Sequence, residues 1–203
     1  MALTHRWHTA DYQTMPWKNG GGITTELAIF PVGARLDHFI WRLSTASVHA
    51  DGPFSHFPQI DRSLAVLEGA GLVLHDDDPA VPPVQLTTDS APYRFQGESS
   101  ISASLLDGPI LDLNMMTHRA VCSHFMRQLT AGQHDIDAAD AQQVLLYCVS
   151  GQATLGQGHT MSPGDLCQFE EERDGHGVQF QCHATEDALL YLITLHFLNR
   201  GQS

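Results

Sequence analysis

Lys18 is the only lysine in a chain whose other nine basic residues are arginines, and it stands directly before Asn19-Gly20-Gly21-Gly22. A compact ammonium beside bare backbone is the chemistry of an anion site. Glycines let N–H groups approach a ligand closely, and the lysine supplies a point charge. The order is wrong for a nucleotide phosphate loop, which places its lysine after the glycines and at the start of a helix. The competing reading is a turn, because Asn-Gly adopts positive φ readily and further glycines allow a bulge or tight bend.

A second set of residues lies in GPFSHFPQIDR, 52–62. Arg62 has the planar fork that grips a carboxylate through two hydrogen bonds. Ser55 can donate another, and Phe54 and Phe57 can wall the site. The alternative for Arg62 is a structural pair with Asp61 or another acid. Arg42 and Arg119 are weaker candidates of the same kind. Side chains alternate along a strand, which sets Thr24 and Glu26 opposite Thr25, Leu27 and Ile29. It likewise sets Arg42 and Ser44 opposite Phe39, Trp41 and Leu43, and Asp112, Asn114 and Met116 opposite Leu111, Leu113 and Met115. Such polar stripes are either the exterior of an antiparallel sheet or the lining of a barrel that takes a polar ligand.

The elements that must position these residues are short and alternating. Candidate strands cover 23–30, 37–48, 63–69, 71–75, 101–106, 110–116, 121–130, 142–150, 165–170, 178–182 and 188–197. Turn residues punctuate them in PVGA, DGP, DDDPAVPP, LDGP, GQGH and SPGD. Only DIDAADAQQ, 135–143, reads as a short helix. The pattern predicts an all-β barrel or sandwich. In the second half, VLLYCVSGQATLGQGHTMSPGDLCQFE looks like the core of a cupin barrel, and SLAVLEGAGLVLHDDD is a looser counterpart in the first. Two such units make a bicupin, two cupin-like β-barrels or jelly rolls, divided into 1–118 and 119–203 within one continuous structural unit.

Composition narrows the partners. The formal net charge of −13 argues against nucleic acid and against an anionic membrane surface. MALTHRWHTADY has no apolar core of the kind a signal peptide needs. The longest apolar run, 188–198, is too short to span a bilayer and contains His196. The four cysteines form no C-x-x-C pair and read as buried thiols in a reducing cytoplasm. Metal cupins carry His-x-His followed by Glu, then a later His. Here His56 is followed by Phe57 and Pro58, and Cys167 and Gln168 stand where the later histidine is wanted. His49 and His159 could join His56 by folding, but scattered histidines are the default, so no metal or other cofactor is expected. The acidic stretches 75–79 and 169–175 lack EF-hand spacing and read as solvated turns. No nucleophile elbow is present. Asp61 with Glu68, or Glu26 with Asp112, could supply acid–base chemistry if folding brought them together.

MPWKNGGGITTEL, FIWRLSTASVHADGPFSHFPQIDRSLAVLEGAGLVL and LLDGPILDLNMM, in that order over the first 119 residues, resemble the HutD/Ves family. The resemblance implies a bicupin fold in a bacterial cytoplasmic protein, often dimeric, linked to histidine utilisation or stress response. It also implies binding of a small acidic intermediate such as N-formylglutamate or urocanate, with no established catalysis. In that context the 52–62 loop lies near the barrel mouth. The expected pocket then gathers Lys18, Asn19, Gly20, Gly21, Gly22, Thr24, Glu26, Arg42, Ser44, Phe54, Ser55, Phe57, Arg62 and Asn114. Two other functions stay open: a cupin-type enzyme acting on a small acid, either with metal or as a metal-free isomerase or lyase using Glu26 or Asp112, and an interaction module whose polar stripe is merely exterior.

Overall fold

The computed structural model describes residues 2–171 and 177–198, so the acidic stretch 169–175 lies partly outside the described residues. Strand β1 (Ala2–Trp7) comes first. Ten strands follow up to residue 118: β2 (Gln13–Pro16), β3 (Gly22–Phe30), β4 (Trp41–Val48), β5 (Gly52–Pro53), β6 (Ile60–Glu68), β7 (Leu72–Asp76), β8 (Val84–Leu86), β9 (Tyr93–Gln96), β10 (Ile101–Leu105) and β11 (Ile110–His118). The remainder holds β12 (Cys122–Leu129), β13 (Gly132–Ala138), β14 (Gln143–Ser150), β15 (Ala153–Leu155), β16 (Thr160–Met161), β17 (Leu166–Glu170), β18 (Val178–Ala184) and β19 (Leu189–Phe197). Among the described residues the only helical segments are 3-10 turns at Thr9–Asp11 and Gly156–Gly158.

The short helix expected at 135–143 is therefore corrected. Ile136 and Ala138 are buried, while Asp137 and Asp135 accept hydrogen bonds from Gln179 and Gln181 across β18. The two-residue period of that stretch suits a sheet, and it ends in a turn closed by Ala141 N–H to the Ala138 carbonyl.

The chain divides into two compact units, Tyr12–Ala120 and Met1–Asp11 with Val121–Ser203. Strand β1 pairs with β17, so the first eleven residues go with the second half rather than with the 1–118 segment the sequence suggests. In Tyr12–Ala120 a six-stranded sheet, β2-β3-β4-β11-β6-β9, is accompanied by a four-stranded one, β5-β10-β7-β8. Leu64, Val66 and Phe95 from the first sheet meet Leu72, Leu74, Leu86 and Ile101 from the second in one apolar cluster. The other unit repeats the plan with β1-β17-β14-β19-β12 and β13-β18-β15-β16. Its apolar cluster includes Cys148, Cys167 and Cys182 among the leucines.

The large sheet of the first unit is buried on both faces. Trp41, Leu43, Leu113 and Met115 are sealed on one side, and Arg42, Ser44, Arg62, Asp112 and Asn114 are buried as well. On this second side Asn114 stands opposite Ser44 and Leu64, and Asp112 opposite Ala46 and Val66. Ala46, Leu64 and Val66 belong to the internal cluster, so the polar stripe lines the barrel and is not its exterior. One detail departs from strict alternation. A bulge in β3 between Glu26 and Ala28 puts Ile29 opposite Arg42, on the side of Glu26, where it joins Phe39, Ile60 and Met116.

The glycine run is the β2–β3 turn. Trp17 N–H donates to the Gly22 carbonyl, Gly20 N–H to the Trp17 carbonyl, and Gly21 N–H to Asn19 Oδ1. Gly20 has φ of 73°, the left-handed region that favours glycine. Gly22 serves a different need: a Cβ there would sit 2.6 Å from the Ser47 carbonyl and 3.1 Å from the Trp17 ring. The close approach is made by the protein's own backbone. Gly22→Ala is accordingly expected to lower stability by about 1–3 kcal/mol. Gly52→Ala, where a Cβ meets nothing within 4 Å, should stay within about 0.5 kcal/mol of the parent. Denaturant midpoints of the two variants check this.

Candidate functional site

Arg62 sits on β6 with only 4% of its surface exposed. Its neighbour Asp61 points to the other side of the strand, where it accepts from Arg94 at 2.8 Å and Arg119 at 2.9 Å. Arg119 also grips Glu98 through both terminal nitrogens. Asp61, the acid nearest Arg62 in sequence, is thereby occupied elsewhere, and Arg119 is a clamp rather than a ligand contact. Among the described residues the Arg62 guanidinium has two long hydrogen bonds, Nε to Asn114 Oδ1 and a terminal nitrogen to the Ser55 carbonyl, both 3.4 Å. Aromatic faces supply the remainder of its surroundings. The guanidinium carbon lies 4.9 Å from the Phe54 ring centre, 5.0 Å from Phe95 and 5.9 Å from Phe57, within the range of cation–π attraction.

Arg42, on the same face, is held in an ion pair with Glu26. Its Nε donates to Glu26 Oε2 at 2.7 Å and a terminal nitrogen donates to Ser44 Oγ at 3.3 Å. Asp112 is different: it is 2% exposed, and its Oδ1 has no hydrogen-bond partner. Burial pushes its carboxyl up to about 7, against the opposing pull of Arg62 and the Ala46 amide. Burial likewise lowers Arg62 to about 10, with Asp112 acting to raise it and Arg42 to lower it further. Desolvation disfavours both charges, and each partly restores the other across a gap too wide for an ion pair.

The structure brings Arg42, Ser44, Glu26, Arg62 and Asn114 together on one lining, with Phe54 and Phe57 over Arg62. Thr24 shares that side but accepts from the Trp17 indole at 2.7 Å. Ser55 contributes its carbonyl to Arg62, and its residue is exposed. Lys18, Asn19 and Gly20 are exposed, and no described contact joins Lys18 to the Arg62 group. Asp61 and Glu68 lie seven residues apart on one strand, roughly 23 Å, and cannot share a proton. His49, His56 and His159 are exposed, and among the described residues no three His, Cys, Asp or Glu side chains form a metal-sized group. Sequence reading missed Phe95 and left open whether the stripe that carries Asp112 faces inward. The alternation Tyr93-Arg94-Phe95-Gln96 was the available signal for the first.

Comparison with known proteins agrees with this architecture. The family profile described as HutD matches residues 9–190. An uncharacterized 21.2 kDa protein in the hutC 3′ region of Pseudomonas putida is 44% identical over 107 residues, 52% of this chain and 54% of that protein. Protein Ves of Citrobacter koseri is 36% identical over 150 residues, 72% of this chain and 74% of Ves. Among solved structures, HutD from Pseudomonas fluorescens SBW25, in a formate condition, superposes with a TM-score of 0.81 at 29% identity, covering 96% of this chain and 99% of that one. A conserved protein of unknown function from Pseudomonas aeruginosa gives 0.83 at 30%, covering 95% and 98%. Oxalate decarboxylase, at 0.66 and 8% over 98% of this chain and 80% of its own, shares the cupin fold alone.

The raised Asp112 carboxyl makes stability depend on pH with a definite sign. Unfolding returns the group to its ordinary value of 3.8, so the native state holds a proton that the unfolded chain releases. Its contribution is full below that value and is lost as pH rises to about 7. Wild type should therefore lose stability relative to Asp112→Asn between about pH 5 and pH 8. Chemical denaturation of both proteins at the two pH values measures this, and a constant difference contradicts it.

Proposed function

The chain belongs to the HutD family, and from that premise we propose that it is a non-enzymatic bacterial cytoplasmic protein that binds a small carboxylate-bearing metabolite inside its first barrel. Its role is regulatory, in histidine utilisation. The observation that carries the reading is the Arg62 guanidinium, buried without a carboxylate partner among the described residues. A buried charge is normally paired, and an incoming carboxylate supplies the missing pair in bidentate form. Phe54, Phe57 and Phe95 exclude water around that contact, which strengthens it. The excess of 23 acidic over 10 basic residues makes most of the molecule unattractive to an anion. A buried cation is then the natural point of selectivity.

The ligand class is a small acid of the N-formylglutamate or urocanate type. The hutC neighbourhood of the Pseudomonas putida relative supports that choice. Cytoplasmic placement is supported by four free, buried cysteines, and no helix among the described residues is long and apolar enough to cross a membrane. Arg42 supports the site through Glu26 and Ser44 and brings little charge of its own. Exposed Lys18 contributes long-range attraction that salt screens.

The test is a thermal-shift and calorimetric titration with N-formylglutamate and urocanate. At one hundred times its dissociation constant a ligand adds roughly 2.7 kcal/mol of stability. Arg62→Ala should weaken binding about tenfold to over a hundredfold, as expected for losing hydrogen bonds to a charged group. Arg62→Met should do the same while keeping the fold, because an apolar side chain of similar length suits the aromatic shell. Lys18→Ala should change affinity only at low salt. Equal binding by wild type and the Arg62 variants overturns the proposal.

A further inference from the structure

The charges on the barrel lining do not balance for every protonation state. Arg42 and Arg62 provide two positive charges, and Glu26 and Asp112 provide two acids. With Asp112 ionised the lining is neutral before anything binds, and an arriving carboxylate meets a like charge in a desolvated setting. With Asp112 protonated the lining carries one net positive charge, which one carboxylate completes.

We infer that Asp112 is the proton-holding half of the Arg62 site, so that the ligand anion is taken up together with one proton that rests on the Asp112 carboxyl. This rests on the reading of Arg62 as the anion site. Three observations carry it. Asp112 Oδ1 is buried with no hydrogen-bond partner, an arrangement that costs free energy unless something else occupies the position. Arg62 also lacks a close acceptor, and no ion pair joins the two groups although each feels the other's charge. Arg42 is already neutralised by Glu26.

Of the two acids on this lining, Glu26 is paired with Arg42 at 2.7 Å, whereas Asp112 Oδ1 has no partner among the described residues. Directly opposite Asp112 stand Ala46 and Val66; further along the same lining are Arg42 and Ser44 from β4, Glu26 from β3, Arg62 from β6 and Tyr93 from β9. The opposing sheet brings Leu72, Leu74, Leu86, Ile101 and Ala103, which are apolar. No covalent bond changes except the O–H formed from a solvent proton, and the ligand stays an anion. The protonated carboxyl can donate a hydrogen bond to the ligand, whereas the ionised form can only repel it. The burial-raised carboxyl of Asp112 makes the proton available near neutrality.

The experiment is calorimetry of N-formylglutamate binding in buffers of different ionisation enthalpy, between about pH 7.5 and 9. The probe's carboxylates are fully ionised there and histidines are largely neutral. Wild type should take up close to one proton per ligand near pH 8 and lose affinity by roughly tenfold per pH unit. Asp112→Asn should bind with no proton uptake and little dependence on pH. Should that variant fail to fold, the comparison of buffers on wild type decides alone. Binding that Arg62→Ala abolishes, but that moves no proton, overturns the role of Asp112 and leaves the Arg62 site standing. Absence of binding, or binding indifferent to Arg62, overturns both.

Discussion

A guanidinium removed from water must be compensated by something, and in this protein the compensation is assembled from several elements rather than from one acid. The effective penalty for burying an unpaired ion is several kcal/mol. Arg62 meets it with three aromatic rings, one side-chain amide and one backbone carbonyl. These come from three places in the chain: the loop after β5 gives Phe54, Ser55 and Phe57, β9 gives Phe95, and β11 gives Asn114. The other face of β6 is fastened by the Asp61–Arg94–Arg119–Glu98 network. That network sets the strand from which Arg62 projects. The polar lining is thus a consequence of how β6 is held, as much as of the residue at position 62.

The two units make opposite use of one architecture. Both close a pair of antiparallel sheets around an interior, but the second fills it with aliphatic side chains, Phe169, Phe180 and three thiols. Burial pushes those thiols upward, to about 12 for Cys148 and about 11 for Cys167 and Cys182, which keeps them protonated and inert. The first unit splits its interior into an apolar cluster, a polar band and a second small apolar cluster of Phe39, Ile60 and Met116. The bulge in β3 makes that division possible on one strand. It lets Glu26 serve the band and Ile29 serve the small cluster without two successive residues sharing a side by strain.

Much of this was legible from period alone. The pairings Thr24 with Glu26, Arg42 with Ser44, and Asp112 with Asn114 follow from alternation, and the structure keeps all three. What alternation could not tell was which side faces inward, because Trp41, Leu43 and Leu113 make the opposite side look like the core. In fact both sides are buried. Strands β8 and β9 escaped notice because they are three and four residues long among prolines, serines and aspartates. Lys18 drew attention by composition, a signal that carries no information on where a side chain points. The third glycine after it, Gly22, answers to Ser47 and Trp17, neither of which is adjacent to it in sequence. Similarly, the isolation of Arg62 depends on Arg94 and Arg119 having claimed Asp61, a competition visible only in three dimensions.

The pairing of β1 with β17 gives the molecule a temporal asymmetry. Residues 12–120 form a unit continuous in sequence, so everything its sheets require has been synthesised once residue 120 has emerged from the ribosome. The other unit starts first and closes last, since β1 at residues 2–7 waits for partners at 166–170. Domains fold as units during synthesis, so the barrel with the polar lining can be built while β1 is still without its partner. A waiting strand is a template for mispairing. Here the sequence ALTHRW, with Thr4 and His5 exposed and Arg6 reserved for Asp165, makes that strand a poor partner for anything but the strand it will eventually meet.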